Sequence, residues 1–187
     1  MKSISAVQLL RDDHKKILGL FRQLEVLSER APEMRDAVVM ELFEEFLIHS
    51  QIEERLFYPG VQRFIESREN KFPNKVEVNE SGIIDQSYSD HQEVAVLIQQ
   101  YSREQVVGQV HDGSKIEEMS GLVQAHMIEE EKNLFPFVEK NFAASLEDLG
   151  KAMIALREDL LRANKIPDAS KPDHAQNMDG GEQRRIA

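Results

Sequence analysis

The chain has 187 residues, enough for one ordinary domain around a single core, with the 41% hydrophobic and 30% charged content of a soluble globular protein. Its 23 basic and 34 acidic residues leave a net charge of −11, which repels phosphate backbones and, with no basic stripe in view, excludes nucleic acid as an expected partner. It has no cysteine, so disulfides, zinc–thiolate sites and iron–sulfur clusters are excluded and any metal must be held by nitrogen and oxygen.

From about Ser5 to Ser28, Leu10, His14, Ile17, Phe21 and Leu24 step by four and three, one face of a helix. Pro32 in "APEM" breaks it, and a second helix follows with Leu42, Phe46, His49, Glu53 and Leu56 on one face. Residues 69–82 read as a longer connection. The third helix carries Ile84, Tyr88, His91, Ala95 and Ile98 at the same stepping. "GQVHDGS" turns the chain into a fourth, with Val123, His126, Glu130, Leu134 and Phe137. A shorter amphipathic segment, Ser145 to about Ala163, has Leu146, Leu149, Met153, Leu156 and Leu160 on its stripe. The expected fold is all-α: an antiparallel, up-down four-helix bundle with an additional C-terminal helix over residues 1–163, then a polar, flexible tail over 164–187. No apolar run is long enough to span a bilayer and the N-terminus lacks a signal-peptide core, so a cytoplasmic protein is expected, off the membrane.

The two halves repeat. His14 to His49 spans the same 35 residues as His91 to His126. Shifted by 77 positions, Asp13-His14 falls on Asp90-His91, His49 on His126, Glu53 on Glu130 and Pro59 on Pro136, so that "HSQIEERLFYP" matches "HMIEEEKNLFP". A lone His-x-x-x-Glu is common on helix surfaces, where it gives a weak i,i+4 contact. Here all four histidines and both glutamates lie on apolar stripes, where unpaired carboxylates are costly to bury. Two carboxylates and four imidazoles facing inward need a partner of positive charge, and a dinuclear metal centre supplies one. Residues four apart share a helix face, and two glutamates from opposite helices can bridge ions roughly 3.5–4 Å apart. Ligation by histidine and carboxylate without thiolate favours iron, with manganese or zinc next.

Ferritin-like centres place a glutamate three residues before the histidine; those positions here are Arg11, Phe46, Tyr88 and Val123. Two His-x-x-x-Glu motifs with a single histidine on each intervening helix instead closely resemble the hemerythrin-like HHE cation-binding domain, over about residues 5–140. The resemblance implies a pair of iron ions held by His14, His49, Glu53, His91, His126 and Glu130, the two glutamates bridging alongside an oxo or hydroxo group. Reversible oxygen carriers of that family add a histidine four residues after the third-helix one and use His-x-x-x-x-Asp on the fourth. Here those positions hold Ala95 and Glu131, which leaves an open position and argues against simple oxygen storage. The four-His, two-Glu set is similar to bacterial members linked to oxidative or nitrosative stress. It implies binding or reduction of a small oxidant (O2, H2O2 or NO), with catalase- or peroxidase-like turnover as one form. The rival is a non-enzymatic oxygen or iron sensor, or an iron donor for repair of damaged iron centres; no protein partner is indicated.

Among the remaining polar residues, Tyr88 is expected to be a core aromatic with a hydrogen-bonded hydroxyl, and Glu45 a solvated helix residue. Asp13 and Asp90 point about 100° from their histidines and are expected at the surface or bundle end. Pro59 and Pro136 are expected to bend or end their helices, and "LFYP" and "LFPF" to put apolar bulk beside the site. His111 and His174 fit neither repeat and are expected to be exposed.

Overall fold

The computed structural model describes residues 4–27, 32–71, 79–106, 113–143 and 145–164. His111, His174 and the tail from residue 165 lie outside them. The described residues are helical apart from short turns. The helices are α1 (Ala6–Val26), α2 (Pro32–Ile52), α3 (Tyr58–Lys71), α4 (Asn79–Val106), α5 (Ser114–Glu129), α6 (Phe135–Phe142) and α7 (Leu146–Asn164). Two five-residue π-helical segments, Glu53–Phe57 and Glu130–Leu134, join α2 to α3 and α5 to α6.

Local chemistry sets several of these ends. Ser5 caps α1, its hydroxyl accepting the Gln8 N–H at 3.2 Å. Pro32 opens α2, where its missing N–H removes nothing. The connection expected over 69–82 is shorter, because α3 continues to Lys71 and α4 begins at Asn79.

Pro59 and Pro136 do not end their helices; each is the second residue of the next one. The π turn before each proline explains this. Inside an uninterrupted α-helix, a proline ring would strike the carbonyl four residues back. Here the ladder shifts by one residue just before it: Tyr58 N–H donates to the Glu53 carbonyl and Phe135 N–H to that of Glu130. In that five-residue register Pro59 would be the donor to the Glu54 carbonyl and has none to give. The Tyr88 hydroxyl donates to that oxygen instead, at 3.3 Å.

The core is two apolar clusters with a polar layer between them. One cluster holds Leu10, Ile48, Ile52, Phe57, Ile84, Leu134 and Phe135. The other holds Ile17, Phe21, Leu42, Phe46, Val94, Ile98, Val123 and Met127. Each long helical run passes from one cluster to the other at its histidine: Leu10 to Ile17 around His14, Phe46 to Ile52 around His49, Ile84 to Val94 around His91, and Val123 to Leu134 around His126. The direction of passage reverses from each run to the next. α1 packs most extensively on α2, and α4 on α5, while α1–α5 and α2–α4 contacts join the pairs and α7 lies on α1 and α2.

Gly150 seats α7. A Cβ there would stand 2.3 Å from the Ile4 carbonyl oxygen and 3.0 Å from the Ala6 nitrogen, both backbone atoms. Gly121, in α5, faces open space. Gly150→Ala is therefore expected to destabilise by about 1–3 kcal/mol through overpacking, despite the helix propensity gained. Gly121→Ala is expected to stabilise by about 1 kcal/mol. Urea midpoints of the two variants check the pair; equal shifts would refute the close approach of α7.

Candidate metal centre

The layer between the clusters is built from the four stripe histidines and two glutamates. His14 comes from α1, His49 from α2, His91 from α4 and His126 from α5, while Glu53 and Glu130 open the two π segments. Glu53, Glu130, His14 and His49 have no exposure at all, and His91 and His126 are 3% exposed. The structure brings all six together. His49 Nε2 lies 3.1 Å from Glu53 Oε2, His91 Nε2 3.3 Å from that oxygen, His14 Nε2 3.3 Å and His126 Nε2 3.5 Å from Glu130 Oε2. His49, Glu53, His91 and His126 form one group able to hold a metal ion, and His14, His49, Glu53 and Glu130 a second, overlapping one.

Each imidazole meets a carboxylate on its other nitrogen. His14 Nδ1 pairs with Glu131 at 2.9 Å and His91 Nδ1 with Glu54 at 2.9 Å. His49 Nδ1 faces Asp13 at 3.6 Å and His126 Nδ1 faces Asp90 at 3.7 Å. The arrangement obeys the 77-residue offset: the acid after each glutamate serves the opposite half, and the acid before each first histidine serves its own half. A carboxylate on Nδ1 keeps the proton there and turns the Nε2 lone pair inward. The Nε2 atoms of His91 and His126 then stand 3.2 Å apart. Two lone pairs at that distance repel unless a cation sits between them.

The unpaired atoms give the fit test for a metal. The buried side-chain atoms without a hydrogen-bond partner among the described residues are His14 Nε2, both nitrogens of His49, His126 Nδ1, Glu53 Oε1, Glu130 Oε2 and Arg157 Nε. All but the last belong to this layer. Buried polar groups are ordinarily satisfied, and a metal ion satisfies lone pairs that no proton donor reaches. Adjacent donors on one ion with bonds of about 2.1 Å lie roughly 3 Å apart, close to the spacings here. The residues fit a metal.

Charge reinforces the geometry. Burial pushes the His49 imidazole down, but the Glu53 and Asp13 carboxylates override it and raise its pKa to about 10. Burial likewise opposes ionisation of Glu53, yet His49 and His91 hold it well below the ordinary carboxylate value. His91 is raised by Glu53 and Glu54 against its own burial. Without metal, a proton on the imidazoles supplies the positive charge that the layer requires.

Sequence reasoning missed several members. Asp13 is buried, not at the surface, because α7 covers that side of α1; its carboxylate takes an ion pair from Arg157. Glu45 reaches no imidazole and binds Lys16 at 2.7 Å. Tyr88 is half-buried and hydrogen-bonded to backbone rather than to the layer. Tyr58, read as apolar bulk, is fully buried and donates to Glu53 at 2.9 Å and Glu130 at 2.7 Å, spanning the two glutamates. Burial, then the charges of Glu130 and Glu53, keep its phenol protonated, with a pKa well above the usual value. The π turn explains the oversight: it brings Tyr58, five residues on, to the face of Glu53, a spacing that α-helical stepping does not search. Tyr58 stacks on His91 and its counterpart Phe135 on His14, at 26° and 21°.

A family model described as the hemerythrin HHE cation-binding domain matches residues 5–138. Among solved structures, a hemerythrin HHE cation-binding domain-containing protein from Mycobacterium kansasii superposes with a TM-score of 0.65 at 24% identity, covering 86% of this chain and 89% of that one. No curated protein sequence matches. No helix among the described residues is long and apolar enough to cross a membrane. With an all-helical, hemerythrin-like fold and a buried His/Glu cluster able to hold metal, the chain belongs to the hemerythrin HHE cation-binding family.

Proposed function

We propose that the chain holds two iron ions between His14, His49, Glu53, His91, His126 and Glu130, and that this centre binds or reduces a small oxidant: O2, H2O2 or NO. The observation that carries the reading is the convergence of four inward-facing imidazoles and two unexposed carboxylates with unpaired atoms. An iron pair supplies one- and two-electron exchange with such an oxidant. The reversing passage of the long helical runs between the two clusters supports an antiparallel, up-down four-helix bundle with α7 added outside. We assign residues 1–163 to this unit and 164–187 to a polar tail, and place the protein in the cytoplasm, without nucleic acid or membrane as partner.

The chain's own groups divide the work. Glu53 and Glu130 are placed to bridge, and the imidazoles to hold one position each while their Nδ1 carboxylates fix the rings. Tyr58 keeps an O–H directed at both bridging carboxylates, so a proton donor lies at the centre without solvent. The two apolar clusters exclude water above and below the layer. Ala95, on the stripe beyond His91, offers no donor atom and leaves one coordination place for the oxidant.

Iron per chain, with the visible spectrum before and after anaerobic reduction and exposure to each oxidant, tests the reading. About two ions with repeated turnover of one oxidant is the expected result. Easily lost iron without turnover would replace it with a sensor or iron donor. His49→Ala and Glu130→Ala are each expected to lose bound metal and lower the melting temperature; unchanged metal content in both would sink the ligand assignment.

Protons and metal compete for the same lone pairs, which fixes a pH dependence. The folded pKa of His49, about 10, lies above its ordinary 6.5, so its contribution to stability is full below 6.5 and lost as pH rises towards 10. Glu53 is depressed, so its contribution is present above its ordinary 4.5 and lost on acidification. The metal-free protein should be most stable between those ordinary values and weaken steadily above 6.5, while metal affinity rises with pH. Thermal melts of metal-free protein across this range check it; stability increasing from 6.5 towards 10 would contradict the charge assignment.

Tyr58→Phe removes the one O–H shared by the two glutamates. It is expected to cost the metal-free protein about 1–3 kcal/mol and the metal-loaded protein less, because bound metal engages the same carboxylates. Equal losses in both forms, read from denaturant unfolding, would show that the phenol acts only through packing.

A further inference from the structure

The two halves of the layer match at nearly every position, so the places where they differ mark what distinguishes one metal position from the other. Asp13 and Asp90 occupy equivalent places, each facing the Nδ1 of a buried histidine at 3.6 and 3.7 Å. Their remaining contacts are not equivalent. Asp90 accepts a hydrogen bond at 2.7 Å from Gln86, a neutral amide one turn back on its own helix. Asp13 instead pairs with the guanidinium of Arg157, which comes from α7, 144 residues away. Position 9, equivalent to Gln86, is Leu9, and position 122, equivalent to Glu45, is Leu122.

Arg157 is held from both sides. One arm of its guanidinium meets Asp13 on α1, and the other faces Glu45 on α2 at 3.6 Å, whose second oxygen takes Lys16 at 2.7 Å. Its side chain is 20% exposed and that of Asp13 8%, so the pair sits at the inner edge of the α7 contact. It lies seven residues, two helical turns, beyond Gly150, on the same face of α7 that the glycine lets approach α1. The family model stops at residue 138, so this contact comes from beyond the matched domain.

We infer that Arg157 is a positioning residue for the metal centre: through Asp13 it fixes the His49 ring, so that one metal position is braced by the C-terminal helix and the other is not. The inference rests on the metal reading above. A carboxylate behind a ligating imidazole sets the ring's tautomer and orientation, and it does so only if it is itself held. Asp13 and Arg157 form a neutral, forked pair that is rigid and already desolvated. Asp90 keeps its full negative charge beside His126 and is held by one amide. The two metal positions therefore differ in rigidity on one side and in charge on the other.

The test is stepwise loading of the metal-free, full-length protein with Fe(II) under anaerobic conditions, against a competing chelator, to obtain two binding constants. Arg157→Gln is expected to weaken one constant by about tenfold or more, the usual cost of losing an outer partner of a ligand, and to leave the other within about twofold. Arg157→Lys, which keeps the charge, should recover part of the loss. Asp13→Asn should reproduce the selective loss, and adding Arg157→Gln to it should cost nothing further. Arg162→Gln, an exposed change on the same helix whose partners are Asp159 and the Glu158 carbonyl, should leave both constants unchanged. If Arg157→Gln does not fold, Asp13→Asn carries the same expectation. Equal weakening of both ions, losses that add in the double variant, or tighter binding of one ion would overturn the positioning role. Failure of the unaltered chain to take up iron would overturn the metal reading itself, and this inference with it.

Discussion

Two ionised carboxylates with no solvent exposure are the constraint around which this chain is arranged. Each costs on the order of several kcal/mol to desolvate, and Glu53 and Glu130 are placed between two apolar clusters that offer them nothing. Every other feature of the layer answers that cost. Four imidazoles approach the two carboxylates, a phenol donates across both of them, and outer carboxylates hold the imidazole rings. The layer is thus poised between two occupants of the same space, protons and metal, and the protein is organised so that either supplies the missing positive charge. This reverses the usual order of dependence in a helical fold: the apolar clusters set where the helices lie, but the polar layer sets their register.

Much of this is legible in the sequence, for a physical reason. Helical periodicity reports which residues face inward, so a histidine or glutamate on an apolar stripe declares its own burial. The 77-residue offset then shows that the declaration is made twice. What periodicity cannot report is a change of period. Tyr58 and Phe135 sit one residue beyond the α-helical step, and only the π turns bring them onto the rings they stack against. Asp13 was misplaced for a related reason. An angle of 100° from His14 leads away from the four-helix interior, but α7 covers that side. Glu54 and Glu131 look like members of solvated acidic runs, and their partial exposure agrees, yet each has one oxygen on a buried ring. Arg157 has no local signature, because its partner is 144 residues away.

The symmetry of the layer is close enough that its exceptions carry information. Where the second half has Phe135 on His14, the first has Tyr58 on His91, which adds a hydroxyl between the carboxylates. Where the second half has Leu122, the first has Glu45, joined to Arg157. Both exceptions add polar groups to the first half and leave the second apolar. A centre with two chemically distinct positions can hold one ion firmly while the other exchanges or changes state, which a symmetric centre cannot do.

The π turns bear on how such a chain arose. Glu53–Phe57 and Glu130–Leu134 are separated by the same 77 residues as the histidines, and both begin on the glutamate and precede the proline. An extra residue in a helix turn is an insertion, and insertions rarely strike the same codon twice in register. The shared bulge therefore belongs to an ancestral helix pair that already carried one His-x-x-x-Glu, its widened turn and its proline. Such a unit could have formed a complete layer only by meeting a second copy of itself. Fusion of the two copies then freed each half to diverge, and Tyr58, Glu45 and the contact with α7 record that divergence.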